Sequence, residues 1–374
     1  MPRLVIVGAG VFGASLAHRA AGEGWETALV EQHEPGHIRA ASGGESRLYR
    51  CGHGDETLYT RMARRALPMW RELEAEAGEA LLIECGLLWL ARRVGGWETE
   101  TERRLREEGI PVERVDPAEY FPQVYTEDLA FGLLEPEAGA LRAADATRAL
   151  ARCAQARGAR LIHGRAEPDG DRVRLNDETL EADIVVWACG AWMPDLFGDL
   201  LPVRVSRQDI VFFGPPQAGW SPPRMPCWID YEGPYYGSGD IDGWGLKLVS
   251  DWEGPPFHPD GERVAPLPEV AEGARAYLRH RFPAIGAAPM IQAKTCQYPS
   301  TPDTHFIAAP HPEHSTVWLL GGDSGHGFKH GPAFAQTVLE MLSGSKPAEP
   351  LWGLGQRVAG TGLRTAGIRY EEAI

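Results

Sequence analysis

Lysine is scarce in this chain of 374 residues, because 33 of its 37 basic residues are arginine and only Lys247, Lys294, Lys329 and Lys346 are lysine. Positive charge is also scarce overall, since 52 acidic residues leave a formal net charge of −15 at pH 7. Such a charge repels a phosphate backbone or an anionic bilayer, and no basic patch offsets it. We therefore expect neither a nucleic-acid nor a membrane partner.

Closely spaced cysteines are absent as well. The six cysteines never lie closer than 34 positions, which excludes a C-x-x-C zinc knuckle and a dense disulfide framework; they are Cys51, Cys85, Cys153, Cys189, Cys227 and Cys296. This usage predicts a reducing, cytoplasmic setting. His311 and His314 lie in turn-forming sequence without a third ligand at metal spacing, so we expect no metal.

No apolar run is long enough to span a bilayer, and the longest candidate, residues 4–17, is interrupted by glycine. This segment fits a dinucleotide turn better. Residues 4–7 form a buried-strand pattern that enters Gly-Ala-Gly-Val-Phe-Gly at 8–13, followed by a predicted helix over 14–24. Gly8 permits the turn, Gly10 allows a pyrophosphate to approach, and Gly13 lets helix and strand pack closely.

Glu31 ends the second predicted strand, 26–30, eighteen residues after Gly13. A carboxylate at this place accepts hydrogen bonds from an adenosine ribose and repels a 2′-phosphate, which disfavours NADP.

Two further strands run into small-residue turns. Residues 184–189 are followed by Gly-Ala-Trp, although a core strand of any α/β protein explains this segment equally well. Residues 317–320 lead into a glycine-rich loop at 321–331 and a predicted helix over 332–342. This loop and Lys329 place positive potential where an anion could bind.

The remaining pattern predicts helices at 57–77, 144–157 and 270–281, and strands at 87–91, 210–213 and 244–249. We predict an α/β fold with a discontinuous Rossmann-like nucleotide domain and an α+β substrate domain whose sheet is mainly antiparallel. The first comprises residues 1–80, 141–205 and 305–374, and the second comprises 81–140 and 206–304.

Several basic residues stand out as candidates for chemistry. Arg47 and Arg50 are three apart and would share a face on a helix turn, where guanidinium forks suit carboxylates and phosphates. Lys247 alternates with apolar residues on a predicted strand, so its ammonium points either to a cleft or to solvent. Neither G-x-S-x-G nor a P-loop is present, so a serine hydrolase or an NTPase has no support.

Taken together, these residues resemble the monomeric sarcosine oxidase family, FAD-dependent flavoproteins of the D-amino acid oxidase and glycine oxidase group. The likeness spans nearly the whole chain. It rests on residues 8–13 with Glu31, on 45–50, on 235–237 with 245–248, on Cys296 before 303–306, and on 324–329. The first of these motifs is generic to dinucleotide folds, and the last three are specific to the family.

The resemblance implies that FAD is bound, with its 8α-methyl joined to Cys296 by a thioether. It places Lys247 over the flavin, where a fixed positive charge favours electron transfer to oxygen. Arg50 and Lys329 match the pair that clamps the substrate carboxylate. Arg47 matches an arginine beside the flavin, and Tyr236 matches a tyrosine lining the substrate cleft. The full implied cofactor set is Gly8, Gly10, Val11, Phe12, Gly13, Glu31, Ser42, Arg47, Ala166, Gly190, Trp192, Cys296, Gly322, Gly325, Gly327 and Lys329.

The reaction implied by the resemblance is hydride transfer from the carbon beside an unprotonated secondary amine to flavin N5. The resulting imine is hydrolysed, and oxygen reoxidises the flavin to yield hydrogen peroxide. The expected partners are a small amino acid substrate and molecular oxygen, and the chain is expected to be a monomer. The resemblance implies sarcosine or another N-alkyl or cyclic amino acid as the substrate. Asp251 replaces a histidine of the sarcosine-specific members and Cys227 replaces a methionine, which favours a substrate that is larger than sarcosine or different from it.

Three alternatives stay open at the level of sequence. A flavin dehydrogenase of similar fold would pass its electrons to a partner, which Lys247 disfavours. A nicotinamide-dependent dehydrogenase explains the first fifty residues and leaves Cys296 and the loop at 321–331 unexplained. A non-catalytic flavin-binding protein keeps the nucleotide loops and has no need for Arg50, Lys247 and Lys329 together.

Overall fold

The computed structural model describes residues 2–214 and 219–358. The strands are β1 (Arg3–Val7), β2 (Glu26–Glu31), β3 (Arg47–Tyr49), β4 (Leu82–Ile83), β5 (Leu87–Ala91), β6 (Glu113–Val115), β7 (Phe131–Glu135), β8 (Gly139–Leu141), β9 (Arg160–His163), β10 (Ala166–Asp169), β11 (Arg172–Leu175), β12 (Glu178–Leu180), β13 (Ile184–Trp187), β14 (Arg204–Phe213), β15 (Cys227–Asp230), β16 (Tyr235–Ser238), β17 (Leu246–Ser250), β18 (Met290–Ser300), β19 (Ile307–Pro310) and β20 (Val317–Gly321). The α-helices are α1 (Val11–Gly22), α2 (Thr57–Ala77), α3 (Trp97–Glu107), α4 (Pro117–Tyr120), α5 (Ala143–Ala156), α6 (Met193–Phe197), α7 (Pro268–Arg281) and α8 (Gly331–Leu342). Within these described ranges, no helix combines the length and the apolar character that crossing a membrane requires.

The nucleotide-type half is built on a six-stranded sheet with the order β19–β20–β13–β1–β2–β9. All neighbours pair in parallel except β19 and β20. Side chains alternate across this sheet, so Leu4 and Ile6 join the core formed with α1, α2, α5 and α8, whereas Val5 and Val7 pack against the β10–β11–β12 sheet. The result is a three-layer arrangement of helices, central sheet and small antiparallel sheet.

Glycine makes the turn from β1 into α1 possible. Gly8 has a φ of +101°, and a Cβ there would lie 2.5 Å from the Ala188 carbonyl oxygen. A Cβ on Gly13 would lie 1.9 Å from the Gly8 carbonyl oxygen, so helix and turn touch backbone to backbone. The helix begins at Val11, three residues before the predicted start, because its first turn forms inside the glycine motif.

The second half is built on an eight-stranded sheet with the order β18–β14–β17–β16–β15–β5–β7–β6. Its pairs are antiparallel apart from β15 with β5. Helix α7 covers one face of this sheet, where Leu246 and Leu248 are part of the core. Lys247 lies between them on the strand and therefore points to the opposite face.

The structure confirms the predicted α/β class and the mainly antiparallel second sheet. The domain boundaries stay a prediction. Strands of the six-stranded sheet all come from the segments assigned to the nucleotide domain, whereas the β3–β8–β4 sheet draws on both proposed domains. The final part of the predicted nucleotide domain, residues 359–374, lies outside the described residues.

Candidate active site

A first cavity of about 960 Å³ opens at the carboxyl ends of the parallel strands β1, β2, β13 and β20. This is the edge at which open α/β sheets bind ligands. Ten of the predicted cofactor residues line it: Gly8, Gly10, Val11, Phe12, Glu31, Ser42, Ala166, Gly190, Trp192 and Gly322. Gly13 lies beside the turn and does not line the cavity, in agreement with a packing role.

The polar groups of this cavity are already ordered by the protein itself. The Val11 amide at the N-terminus of α1 donates to Ser42 Oγ at 2.8 Å. Glu31 accepts from the Ala9 amide at 2.7 Å and from the His33 amide at 2.9 Å. The Glu31 carboxylate is thereby fixed at the end of β2, next to the glycine turn.

A second cavity of about 1100 Å³ lies against the face of the eight-stranded sheet that α7 leaves uncovered. Ala41 and Asp323 line both cavities, so the two adjoin. The remaining predicted site residues line this second cavity: Arg47, Arg50, Tyr236, Lys247, Cys296, Gly325, Gly327 and Lys329.

Lys247 is held in a buried ion pair. Its Nζ lies 2.7 Å from Glu45 Oε1 and also donates to the carbonyl oxygen and the hydroxyl of Ser46. Burial lowers the pKa of Lys247, and the Glu45 charge opposes this change. For Glu45, burial favours the neutral acid, but the charges of Lys247 and Arg47 outweigh it and lower the pKa to about 2. The carboxylate is therefore ionised at neutral pH.

Arg47 connects the motif at 45–50 to Cys296. Its Nη2 donates to the Ala41 and Gly43 carbonyl oxygens at 2.8 Å and lies 3.3 Å from Cys296 Sγ. The prediction that Arg47 and Arg50 share a helix turn is wrong, because residues 47–49 pair with β8 as strand β3. Arg50 directly follows the end of this strand, and both arginines line the second cavity.

Arg50 and Lys329 both line the second cavity. The Arg50 guanidinium carbon is 5.1 Å from the centre of the Trp89 ring, and Lys329 Nζ donates to the His326 carbonyl oxygen at 2.7 Å. Burial, followed by the charge of Arg50, lowers the pKa of Lys329 well below its usual value. A bound carboxylate would reverse this effect by adding the negative charge that the two cations need.

Tyr236 extends its hydroxyl to Tyr298 at 2.6 Å, and both side chains line the second cavity. Burial, and then the nearby Asp251 carboxylate, raises the pKa of Tyr236. Asp251 also lines the cavity, so its charge faces the space where a substrate would bind. Cys227 is different: it is buried, with its Sγ 3.8 Å from Cys85 Sγ, and it is not among the lining residues of the described chain.

The family model described as "FAD dependent oxidoreductase" (DAO) matches residues 3–341. The chain belongs to this family of FAD-dependent oxidoreductases. It is 29% identical over 363 residues to monomeric sarcosine oxidase of Bacillus sp. (strain B-0618), covering 91% of this chain and 90% of the relative. It is 25% identical over 358 residues to N-methyl-L-tryptophan oxidase of Salmonella heidelberg (strain SL476), covering 92% of this chain and 95% of the relative. These findings confirm the family resemblance.

Solved structures support the fold. L-proline dehydrogenase from P. horikoshii superposes with a TM-score of 0.82 at 21% identity, covering 94% of this chain and 96% of that chain. At this identity the likeness concerns the fold alone. The nicotinamide-dependent alternative loses its support, because the matching family model is that of an FAD oxidoreductase.

The residues of this FAD-dependent oxidoreductase fit the cofactor. Gly10 lines the first cavity, and a Cβ placed there would lie 3.3 Å from Ser42 Oγ, so glycine keeps the backbone at the helix N-terminus uncrowded. Glu31 lines the same cavity with a carboxylate to which a ribose would donate, and Cys296 lines the adjoining cavity. The two adjoining cavities thus offer suitable groups for the dinucleotide part and the ring part of one elongated ligand.

Three residues of the site were missed by the sequence argument. Glu45 pairs with Lys247, Tyr298 bonds to Tyr236, and buried Glu135 accepts from the Cys51 amide at 2.7 Å and from Trp89 Nε1 at 2.9 Å. A signal existed for Tyr298, since it lies two residues after Cys296 on β18 and thus on the same face. Glu45 belongs to the motif at 45–50, but that motif does not reveal its pairing with Lys247. No local pattern singles out Glu135, because its partners are distant in sequence.

Proposed function

We propose that this chain is an FAD-dependent oxidase of a secondary amino acid, with the flavin joined covalently to Cys296 and oxygen reduced to hydrogen peroxide. The observation that carries the proposal is the presence of Arg50, Lys329, Lys247 and Cys296 around one cavity. A protein that only binds flavin has no use for a half-buried arginine and a buried lysine lining such a cavity together. We further propose that the chain works as a cytoplasmic monomer.

Arg50 and Lys329 are proposed to bind the substrate carboxylate. A guanidinium offers two parallel donors and an ammonium offers a point charge, and both are held by surrounding groups before the substrate arrives. Trp89 lies beneath Arg50, and Glu135 holds Trp89 Nε1 and the amides that follow Arg50. This support fixes the direction of the clamp and thereby the position of the carbon that loses hydride.

Lys247 is proposed to assist the reaction with oxygen. Its ammonium is buried, lines the same cavity and is kept in place by Glu45 and Ser46. Negative charge develops on oxygen as it accepts an electron, and a preorganised cation lowers the cost of that charge. This role favours an oxidase over a dehydrogenase that transfers electrons to a partner protein.

Bound FAD would supply the redox chemistry by accepting hydride and passing two electrons to oxygen. Overall, the amine and oxygen yield an imine and hydrogen peroxide, and water converts the imine to an amine and a carbonyl compound. Joining Cys296 Sγ to the flavin 8α-carbon replaces one S–H and one C–H bond by an S–C bond. The two electrons and two protons released then leave with oxygen as hydrogen peroxide.

The substrate is proposed to be sarcosine or a related N-alkyl or cyclic amino acid. Tyr236, Tyr298 and Asp251 line the cavity that also contains the clamp. Asp251 brings negative charge to a place where a simple N-methyl group needs none, which favours an amino acid larger than sarcosine or one with an additional amine.

The test uses the purified protein, its Cys296→Ser variant and a matched Cys189→Ser variant. Cys189 lines the first cavity, so it probes a thiol beside the dinucleotide part. We expect yellow colour in the acid precipitate of the native protein and of Cys189→Ser, and in the supernatant for Cys296→Ser. Adding sarcosine, N-alkyl amino acids and cyclic amino acids should then release hydrogen peroxide with at least one of them.

The outcomes test the covalent bond, the use of oxygen and the catalytic activity separately. Flavin in the supernatant of the native protein would reject the covalent bond and leave the oxidase proposal to the peroxide assay. Flavin that bleaches with an amino acid under anaerobic conditions, but reacts only with an artificial acceptor and not with oxygen, would identify a dehydrogenase. A flavin that no amino acid reduces would favour a non-catalytic protein.

A further inference from the structure

Three histidines form a cluster beside the clamp that the proposed oxidation does not use. His53 follows the motif at 45–50, His326 precedes the short 3₁₀ turn Phe328–His330, and His330 ends that turn directly before α8. Their ring centres are 5.1 Å apart for His53 and His330, and 5.9 Å apart for each of the other two pairs. Three imidazoles bound to one tetrahedral ion, with bonds of about 2.0–2.1 Å, have ring centres about 5 Å apart.

Backbone carbonyl groups fix the tautomers of two of these rings. His53 Nδ1 lies 2.9 Å from the Cys51 carbonyl oxygen, and His326 Nε2 lies 3.0 Å from the Thr304 carbonyl oxygen. A carbonyl oxygen only accepts, so each of these nitrogens carries the hydrogen when the ring is neutral. The lone pairs then lie on His53 Nε2 and His326 Nδ1. An imidazole that donates one N–H to a backbone carbonyl is the usual arrangement of a metal ligand.

The nitrogens with the lone pairs have no hydrogen-bond partner among the described residues. They are His53 Nε2 and His326 Nδ1, and both ring nitrogens of His330 are likewise buried without a partner. His53 and His330 are at most 1% exposed. Buried polar atoms without partners cost about 1–3 kcal/mol each, so a concentration of them at one place calls for a ligand.

We propose that His53, His326 and His330 form a binding site for a transition-metal dication of the Zn²⁺ type. One nitrogen from each ring can be chosen so that all three lie within 4.8 Å of one another. A tetrahedral site with bonds of about 2.0–2.1 Å has its ligand nitrogens roughly 3.3 Å apart, so metal binding would draw the three rings closer together. The expectation of no metal rested on His311 and His314, which are three apart, and it did not include His326 and His330, which are four apart in the glycine-rich loop.

The surroundings select the kind of ion. The three ring nitrogens provide no oxygen ligand, which excludes Mg²⁺ and Ca²⁺ and favours Zn²⁺, Co²⁺ or Cu²⁺. Lys329 and Arg50 lie nearby and oppose any cation, so we expect a site of moderate rather than extreme affinity. Since His53 and His326 line the second cavity, the ion would border the space assigned to the substrate carboxylate and could take a fourth ligand from it.

The test is isothermal titration of the tag-free, chelator-treated, flavin-containing protein with zinc chloride, accompanied by electron paramagnetic resonance of the protein loaded with Cu²⁺. We expect one saturable Zn²⁺ per chain and nitrogen hyperfine splitting on the copper signal. His330→Phe and His53→Gln should each weaken Zn²⁺ binding by about tenfold or more. These readouts do not depend on oxidase activity, so the metal proposal and the proposed function can fail separately.

His311→Gln serves as the matched control, because His311 and His314 also lie 5.0 Å apart but in a partly exposed turn. It should leave Zn²⁺ binding unchanged. The flavin absorption spectrum of each variant verifies folding. If His330→Phe does not retain the flavin spectrum, Zn²⁺ binding by His53→Gln tests the proposal instead. Absence of saturable binding to the native protein, or binding that follows His311 instead of the cluster, would overturn the proposal.

Discussion

Buried charges on the two faces of the eight-stranded sheet pair with partners from different parts of the chain. On the face covered by α7, the fully buried Arg281 pairs with Asp230 at 3.1 Å and with Asp128 at 2.7 Å, all within residues assigned to the substrate domain. On the cavity face, Lys247 pairs with Glu45, which belongs to the opposite part of the chain, 202 positions away. The first pairing holds one unit together, whereas the second connects the sheet to the nucleotide-type half.

This difference indicates separate tasks for the two faces. The α7 face combines its ion pairs with a dense apolar core of residues such as Trp228 and Phe282, so its charges support stability. The cavity face carries a lysine, tyrosines and a cysteine around open space, so its charges are available to a ligand. Substitutions on the two faces should therefore have distinct consequences.

The largest expected effect is on stability and comes from Arg281→Leu. Removing this guanidinium breaks charged hydrogen bonds to Asp128 and to buried Asp230, each worth about 1.5–3 kcal/mol, although Arg92 stays 3.0 Å from Asp230. Urea unfolding of the flavin-containing protein should show this loss, while the KM of the folded enzyme is unchanged. The exposed Arg279 on the same helix provides the control, and Arg279→Leu should change stability little. Equal losses of stability in the two variants would refute the stabilising role assigned to the ion pairs of Arg281.

The next effect is catalytic and comes from Lys247→Met. Loss of the cavity-face cation should slow reoxidation of the reduced flavin by oxygen about 10²–10³-fold, while anaerobic reduction by substrate changes only slightly. Stopped-flow absorbance measures the two half-reactions separately. Lys294→Met is the matched control, because Lys294 Nζ lies 3.6 Å from the other Glu45 oxygen and stacks on Trp244. If both variants slow reoxidation equally, position 247 has no special role.

The smallest effect is the pH dependence that Glu45 contributes to stability. The pKa of this carboxyl is lowered from 4.5 to about 2 in the folded chain. Its contribution is therefore complete above about pH 4.5 and is lost as the pH falls towards 2. In that range Glu45→Gln should reduce the slope of unfolding free energy against pH by up to about 1.4 kcal/mol per unit. Exposed Glu34→Gln should leave the slope as it is, and a similar slope in all three proteins would contradict the ion-pair geometry.

Much of the fold could be predicted because it depends on local patterns. The period-2 and helical repeats place α2 at Thr57–Ala77 and β5 at Leu87–Ala91, the bounds that the structure has. A prediction from local spacing failed where pairing with a distant strand determined the backbone conformation. Residues 47–49 form a strand rather than a helix turn because β8 pairs with them, and nothing in their own sequence specifies that partner.

The candidate site could be predicted only in part. Lys247 and Lys329 stood out because lysine is rare in this chain, and the family resemblance supplied Arg50 and Cys296. The pairing of Glu45 with Lys247 and the His53 cluster could not be anticipated, since a buried carboxylate or an imidazole without a partner is recognisable only once its surroundings are known.

The sequence by itself determined the glycine turn, the acidic residue at the end of the second strand and the alternation that turns Lys247 away from Leu246 and Leu248. These features depend on residues within one strand or turn, where backbone geometry sets the outcome. Only the tertiary structure decided that Arg47 lies 3.3 Å from Cys296 Sγ, 249 positions away, and that His53 meets His326 and His330. Such contacts arise when sheets from distant segments pack together, and no local periodicity encodes them.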